Sequence, residues 1–215
     1  PAGLCRTRRG VRASDPVGSF FAEVANLEAA AVTAFGQLAR ELRLHGAPGS
    51  LVQAALRSRR DEVRHARATA RLARRYGGRP VRPRVASGAP RGLVEVVADN
   101  AVEGCIRETY GALVAHAQAR QASDARVRRV LAGIAIDETR HAALSWSLAE
   151  WARARMSPAE QRRVAQGTGD ALERMEAELT REHAPAVHAV AGLPRPDHAL
   201  ALYRRLAAQL RAAPA

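Results

Sequence analysis

Six residues, Asp61-Glu62-Val63-Arg64-His65-Ala66, return as Asp137-Glu138-Thr139-Arg140-His141-Ala142 in a chain of 215 residues that repeats little else. The offset is 137 − 61 = 76 positions. Each copy places a Glu and a His three apart. On a helix such residues share one face, with Cβ atoms about 5–6 Å apart, so Glu62/His65 and Glu138/His141 can each reach a common metal ion. The fold must therefore present two helices, each carrying an inward carboxylate and imidazole.

The rest of the chain reads as helical. Apolar content is 47% with only 4% aromatic residues, and comes mainly from Ala, Leu and Val, which suits close-packed helices better than strands. Ser14-Asp15-Pro16 reads as a cap with Pro at the first helical position, and Gly46-Ala47-Pro48 as a stop. Ser50 then caps a second helix to Tyr76, ended by Gly77-Gly78. A third helix is expected from Arg91 to Arg120, a fourth from Ser123-Asp124 to Met156, and a fifth from Ser157-Pro158-Ala159-Glu160 to His183. A last amphipathic stretch covers Asp197 to Arg211, and no segment alternates as a strand would.

Loop lengths set the expected topology. Short links pair helix 1 with helix 2 and helix 3 with helix 4 as antiparallel hairpins. Between the hairpins, residues 77–90 are rich in Gly, Pro and Arg. Fully extended they span about 45 Å, the length of a helix of about 30 residues. Such a crossover can return helix 3 parallel to helix 2. The expectation is an all-α chain: an irregular extension over 1–15, a four-helix bundle over 16–156 and one or two C-terminal helices over 157–215.

Each hairpin needs a carboxylate on its first helix to match its ExxH. Candidates are Glu23 and Glu28 on helix 1, and Glu103 and Glu108 on helix 3. Glu28 to Glu103 is 75 positions, close to the repeat of 76, whereas Glu28 to Glu108 is 80, so spacing selects Glu28 and Glu103. Both lie on mostly apolar or small stripes of period 3.6. Four buried carboxylates at one level demand cations.

Glu28, Glu62-x-x-His65, Glu103 and Glu138-x-x-His141 together resemble the ferritin-like dinuclear iron carboxylate proteins, over about residues 16–156. The resemblance implies a ferritin-like bundle holding two iron ions, with manganese as the alternative. Glu62 and Glu138 would bridge the metals, Glu28 and Glu103 would be terminal, and His65 and His141 would bind one metal each. Asp61 and Asp137 are expected behind the histidines, since ligand imidazoles usually donate their second N–H to a carboxylate. Tyr110 is a candidate to hydrogen-bond near the metals or relay an electron, with simple packing as its other role. Glu108 is about 140° round an α-helix from Glu103, and stands as an extra carboxylate at the rim or a surface acid. Ala101-Val102-Glu103, Ile106 and Tyr110 also resemble, briefly, the demethoxyubiquinone hydroxylase pattern.

The implied activity is that of an oxidoreductase activating O2 or peroxide, with a small-molecule substrate and, if an oxygenase, an external electron donor. Ferroxidase or iron-handling work on Fe(II), an RNA-directed hydroxylase of the same fold and a non-enzymatic scaffold bundle are the alternatives. The formal charge is +13, and all 34 basic residues are Arg. Arg57, Arg60, Arg64, Arg67, Arg71 and Arg74 form a row about 100° from the ligand face of helix 2, a phosphate-binding surface for RNA or an ordinary solvated one. No apolar run reaches the roughly 20 residues of a membrane span, and a cytoplasmic location is expected. Cys5 and Cys105 form no CxxC. Leu4 before Cys5 is a poor fit to a lipoprotein signal, and the start at Pro1 is that expected of a processed or truncated chain. Oligomerisation is left open.

Overall fold

The computed structural model describes residues 15–81, 83, 85 and 88–212. Cys5 and all of the expected N-terminal extension except residue 15 lie outside the described residues. Every regular element among the described residues is helical. They are α1 (Pro16–Leu44), α2 (Gly49–Arg75), α3 (Leu93–Asp99), a π-helical segment (Asn100–Glu108), α4 (Thr109–Gln121), α5 (Ala125–Arg153), α6 (Pro158–Glu178), α7 (Pro185–Ala191) and α8 (Pro196–Ala212). Among the described residues no helix is long and apolar enough to cross a membrane.

Three of the helix starts follow directly from side-chain caps. The Asp15 carboxylate accepts from the Val17 N–H at 2.8 Å with Pro16 at the first position. Asp124 accepts from the N–H groups of Arg126 and Val127 at 2.7 and 3.2 Å. Ser157 and Glu160 form a reciprocal capping box. Each cap satisfies N–H groups that the first helical turn cannot bond internally. The second helix starts differently: Pro48 flanks it and Gly49 opens it, so Ser50 lies inside the first turn and is not the cap.

The chain folds as two compact units, one up to Val96 and the other from Val97. In the first, α1 and α2 pack as an antiparallel hairpin. Phe21 and Tyr76 stack at 6.3 Å between ring centroids where the start of α1 meets the end of α2. Backbones touch there: a Cβ on Gly18 would strike the Tyr76 carbonyl, and one on Gly78 would strike the Gly18 carbonyl. The buried face of α2 is Leu51, Ala55, Ser58, Glu62, His65, Thr69 and Leu72, a 3.6-residue stripe that an acid and an imidazole interrupt.

The crossover ends in a polar latch within the same unit. Glu41 is wholly buried. It accepts from Arg91 through Nε (2.9 Å), Nη2 (2.9 Å) and the backbone N–H (3.1 Å), and from Gln37 Nε2 at 3.0 Å. Burial pushes the Glu41 carboxyl up, but the Arg91 and Gln37 hydrogen bonds outweigh it and hold it below the usual value.

In the second unit the π-helical segment and α4 pack against α5. Ile106 and Tyr110 join Leu172 and Met175 of α6 and Tyr203 and Leu206 of α8 in one core cluster, so α6 and α8 share that core. Two elements differ from the spacing. The third long helix is interrupted by nine π-helical residues. The fifth ends at Glu178, short of His183. The seven-residue α7 has no counterpart in the apolar pattern. It docks on the α4–α5 turn, where Gln118 Nε2 donates to the Ala191 carbonyl at 3.0 Å and the Ser123 N–H to the Ala189 carbonyl at 2.9 Å.

Candidate metal centre

In the first unit Glu28 of α1 meets Glu62 and His65 of α2. Glu62 and His65 are 2% and 3% exposed, and Glu28 is half-buried. His65 Nδ1 lies 3.8 Å from Glu28 Oε2 and 3.7 Å from Glu62 Oε1. One donor atom from each of the three falls within 4.8 Å of the others.

The second unit repeats the arrangement with a different carboxylate. His141, fully buried, places Nδ1 at 3.6 Å from Glu138 Oε2 and 4.0 Å from Glu108 Oε2. Glu108, Glu138 and His141 again offer donors within 4.8 Å of one another. Glu103 is not in that group; its carboxylate faces Arg107 of the next turn at 3.7 Å.

The π-helical segment accounts for the exchange. Spacing on a 3.6 period turns Glu108 about 140° from Glu103. In a π-helix hydrogen bonds run from i to i+5, so residues five apart stand one turn above each other, and Glu103 and Glu108 share a side. The segment is pinned to α5: Asn100 Nδ2 donates to the Ser145 carbonyl at 2.9 Å, and a Cβ on Gly104 would strike Ser145 Oγ. The observed helix bounds agree with Glu108. Counted from the hairpin turn, Glu108 is 13 residues before the end of α4 (121 − 108) and Glu138 is 13 after the start of α5 (138 − 125). Glu103 is 18 before it (121 − 103).

The repeat reaches beyond the candidate ligands. Asp61, buried, pairs with Arg64 Nη1 at 2.7 Å, and Asp137 pairs with Arg140 Nη2. Thr69 Oγ1 donates to the His65 carbonyl at 2.7 Å and Ser145 Oγ to the His141 carbonyl at 3.1 Å. The Asp–Arg pair and the hydroxyl four residues after each His therefore recur in both units. Spacing counted Arg64 only as one of an outward row; it is exposed, yet it also holds the hexapeptide's own Asp.

Tyr110 lies elsewhere. It is two residues past Glu108, about 200° round the α-helix that resumes there. Its hydroxyl donates to the Ala199 carbonyl at 3.2 Å, and its ring meets Tyr203 edge to face at 5.8 Å. Burial pushes its hydroxyl up to about 12. Burial also pushes the Cys105 thiol up to about 12, against a 3.6 Å contact from Asn100 Nδ2, so Cys105 is a protonated packing residue.

Whether these clusters suit a metal is a question of distance and donor type. The four Nδ1–oxygen separations, 3.6 to 4.0 Å, exceed hydrogen-bonding range. They lie below about 4.4 Å, twice the usual metal–ligand bond of about 2.0–2.2 Å, so one ion fits between each imidazole and its carboxylates. Comparison of the chain with protein-family models, with curated proteins and with solved structures returns no match.

Proposed function

We propose that the chain is a dinuclear-iron carboxylate oxidoreductase that activates O2 or peroxide, its two hairpins forming a ferritin-like bundle and each supplying one half of the centre. The observation that carries this reading is the recurrence of one ligand geometry: Glu28, Glu62 and His65 in the first unit, and Glu108, Glu138 and His141 in the second, with matching Nδ1–carboxylate separations. Glu108 takes the place that spacing gave to Glu103.

When bound, the two iron ions supply the electrons that reduce O2 or peroxide. The chain's own groups do the rest. The carboxylates of Glu28, Glu62, Glu108 and Glu138 balance the positive charge, and the imidazoles present Nδ1 in neutral form. The Thr69 and Ser145 hydroxyls bond the carbonyls of the two histidines, and Arg64 and Arg140 hold the adjacent aspartates. Burial of Glu62, His65 and His141 keeps bulk water from competing as a ligand.

An anaerobic Fe(II) titration followed by admission of O2 tests the reading. Saturation near two irons per chain is expected, with ferric absorbance that appears on oxidation and is lost in Glu62→Ala and Glu138→Ala. Uptake far beyond two irons would instead favour ferroxidase and storage work. Absence of binding would leave a scaffold bundle.

A further inference from the structure

A second site lies in the first unit. Between α1 and α2, with Pro80, Val81 and Pro83 of the crossover as a third wall, runs a groove of about 500 Å³ open to solvent. Its volume falls within the roughly 300–1,000 Å³ of small-molecule sites. The floor is small and apolar: Ala25, Ala29 and Val32 from α1, and Val63, Ala66 and Ala70 from α2. Along one edge stand Arg67, Arg71 and Arg74, one helix side at i, i+4 and i+7, covering about 10 Å of helix. All three are exposed. No carboxylate among the described residues pairs with them, unlike Arg64 and Arg91.

We propose that this groove binds a single-chain amphiphile with an anionic head, of the long-chain carboxylate class: the alkyl chain lies on the Ala/Val floor and the carboxylate meets the Arg67–Arg71–Arg74 edge. An apolar trough with free guanidinium groups on one side matches such a ligand in both halves. Planar guanidinium forks bind carboxylates in bidentate fashion, and burying alkyl surface against the floor supplies about 25 cal/mol per Å². Single-stranded RNA fits less well. Its sequence-tolerant binding depends on aromatic platforms for the bases, and the described residues lining the groove include no aromatic ring. The site stands independently of metal binding.

Calorimetric titration of the full chain with tetradecanoate below its micellar concentration tests the assignment, with tetradecanol as the uncharged probe. Saturation at one tetradecanoate per chain is expected, with tetradecanol on the order of tenfold weaker. Arg67→Gln, Arg71→Gln and Arg74→Gln should each weaken binding roughly two- to fivefold, the range for solvent-exposed ion pairs. Arg57→Gln and Arg60→Gln, on the same helix but outside the groove, should leave it unchanged. Ala70→Trp, which fills the trough and keeps every Arg, should abolish it. The assignment is overturned by no saturable binding, by equal affinity for tetradecanol, or by equal losses in the Arg57 and Arg60 variants. It is overturned in favour of RNA if oligouridylate displaces tetradecanoate and binds Ala70→Trp undiminished.

Discussion

Removing the Arg91 side chain should destabilise the first unit by an amount that can be worked from the latch. Glu41 is 0% exposed and holds four hydrogen bonds, of which Arg91→Ala deletes the two charged ones and leaves the backbone N–H and Gln37 in place. Breaking a buried ion pair from one side costs about 3–5 kcal/mol. Here the Arg91 side chain is 28% exposed, so water can reach the vacated space, and the surviving donors soften the loss further. A cost of about 2–4 kcal/mol follows. Both tryptophans, Trp146 and Trp151, lie in the second unit, so their fluorescence would report on the wrong one. Hydrogen exchange of α1 and α2 peptides is the suitable assay, and roughly 30- to 700-fold faster exchange through global opening is expected. The pH dependence has a definite sign. Because the folded Glu41 carboxyl sits below its ordinary value, its contribution is present above the unfolded carboxyl pKa, about 4.3, and is lost as pH falls through the folded value. The gap between wild type and Arg91→Ala should therefore narrow under acid. Adding Glu41→Leu to Arg91→Ala should recover part of the loss, since the stranded charge is gone. A gap of less than about 0.5 kcal/mol at neutral pH, the noise of ordinary surface changes, or one that widens under acid, would refute the account.

Two further outcomes concern the second unit. Glu108→Gln should weaken iron binding there, read in the same anaerobic titration, while Glu103→Gln leaves it close to wild type; the reverse would restore the ligand that spacing selected. Gly104→Ala should cost about 1–3 kcal/mol in thermal or urea unfolding followed by tryptophan fluorescence, because its methyl group meets Ser145 Oγ and Asn100 Oδ1; a neutral result would mean that the π-helical segment is not held against α5.

Much of the fold was legible because caps and stops are local chemistry. Asp15-Pro16, Asp124 and the Ser157/Glu160 box each satisfy N–H groups within three residues, and no tertiary contact is needed to see them. The inward stripe of α2 was legible for the same reason: from Leu51 to Leu72 the period stays at 3.6. What escaped depended on distant partners. The α7 helix is too short to display a period, and its place is fixed by Gln118 and Ser123. Tyr110 could not be assigned from its position on the third helix, because the residues that bury it, Tyr203 and Ala199, are about ninety positions away in sequence.

The difference between Glu103 and Glu108 has a sharper cause. A 76-residue offset holds from Asp61/Asp137 through Thr69/Ser145, all on unbroken α-helices, α2 and α5. On the preceding helices the offset becomes 80, from Glu28 to Glu108. Counting positions is a valid measure of depth only where each residue adds the same rise and rotation. The π-helical segment breaks that condition between Asn100 and Glu108, and Glu108 is its last residue. The helix that follows therefore runs in a different phase from the one before. A single shift accounts for both outcomes: Glu108 meets His141, and Tyr110 turns toward α8. Because π-helical winding stacks residues five apart, it also leaves Glu103 one turn behind Glu108 on the same side. The third long helix thus carries Glu108 where α1 carries Glu28, with Glu103 turned to Arg107, and the two units differ on that helix while their ExxH helices match.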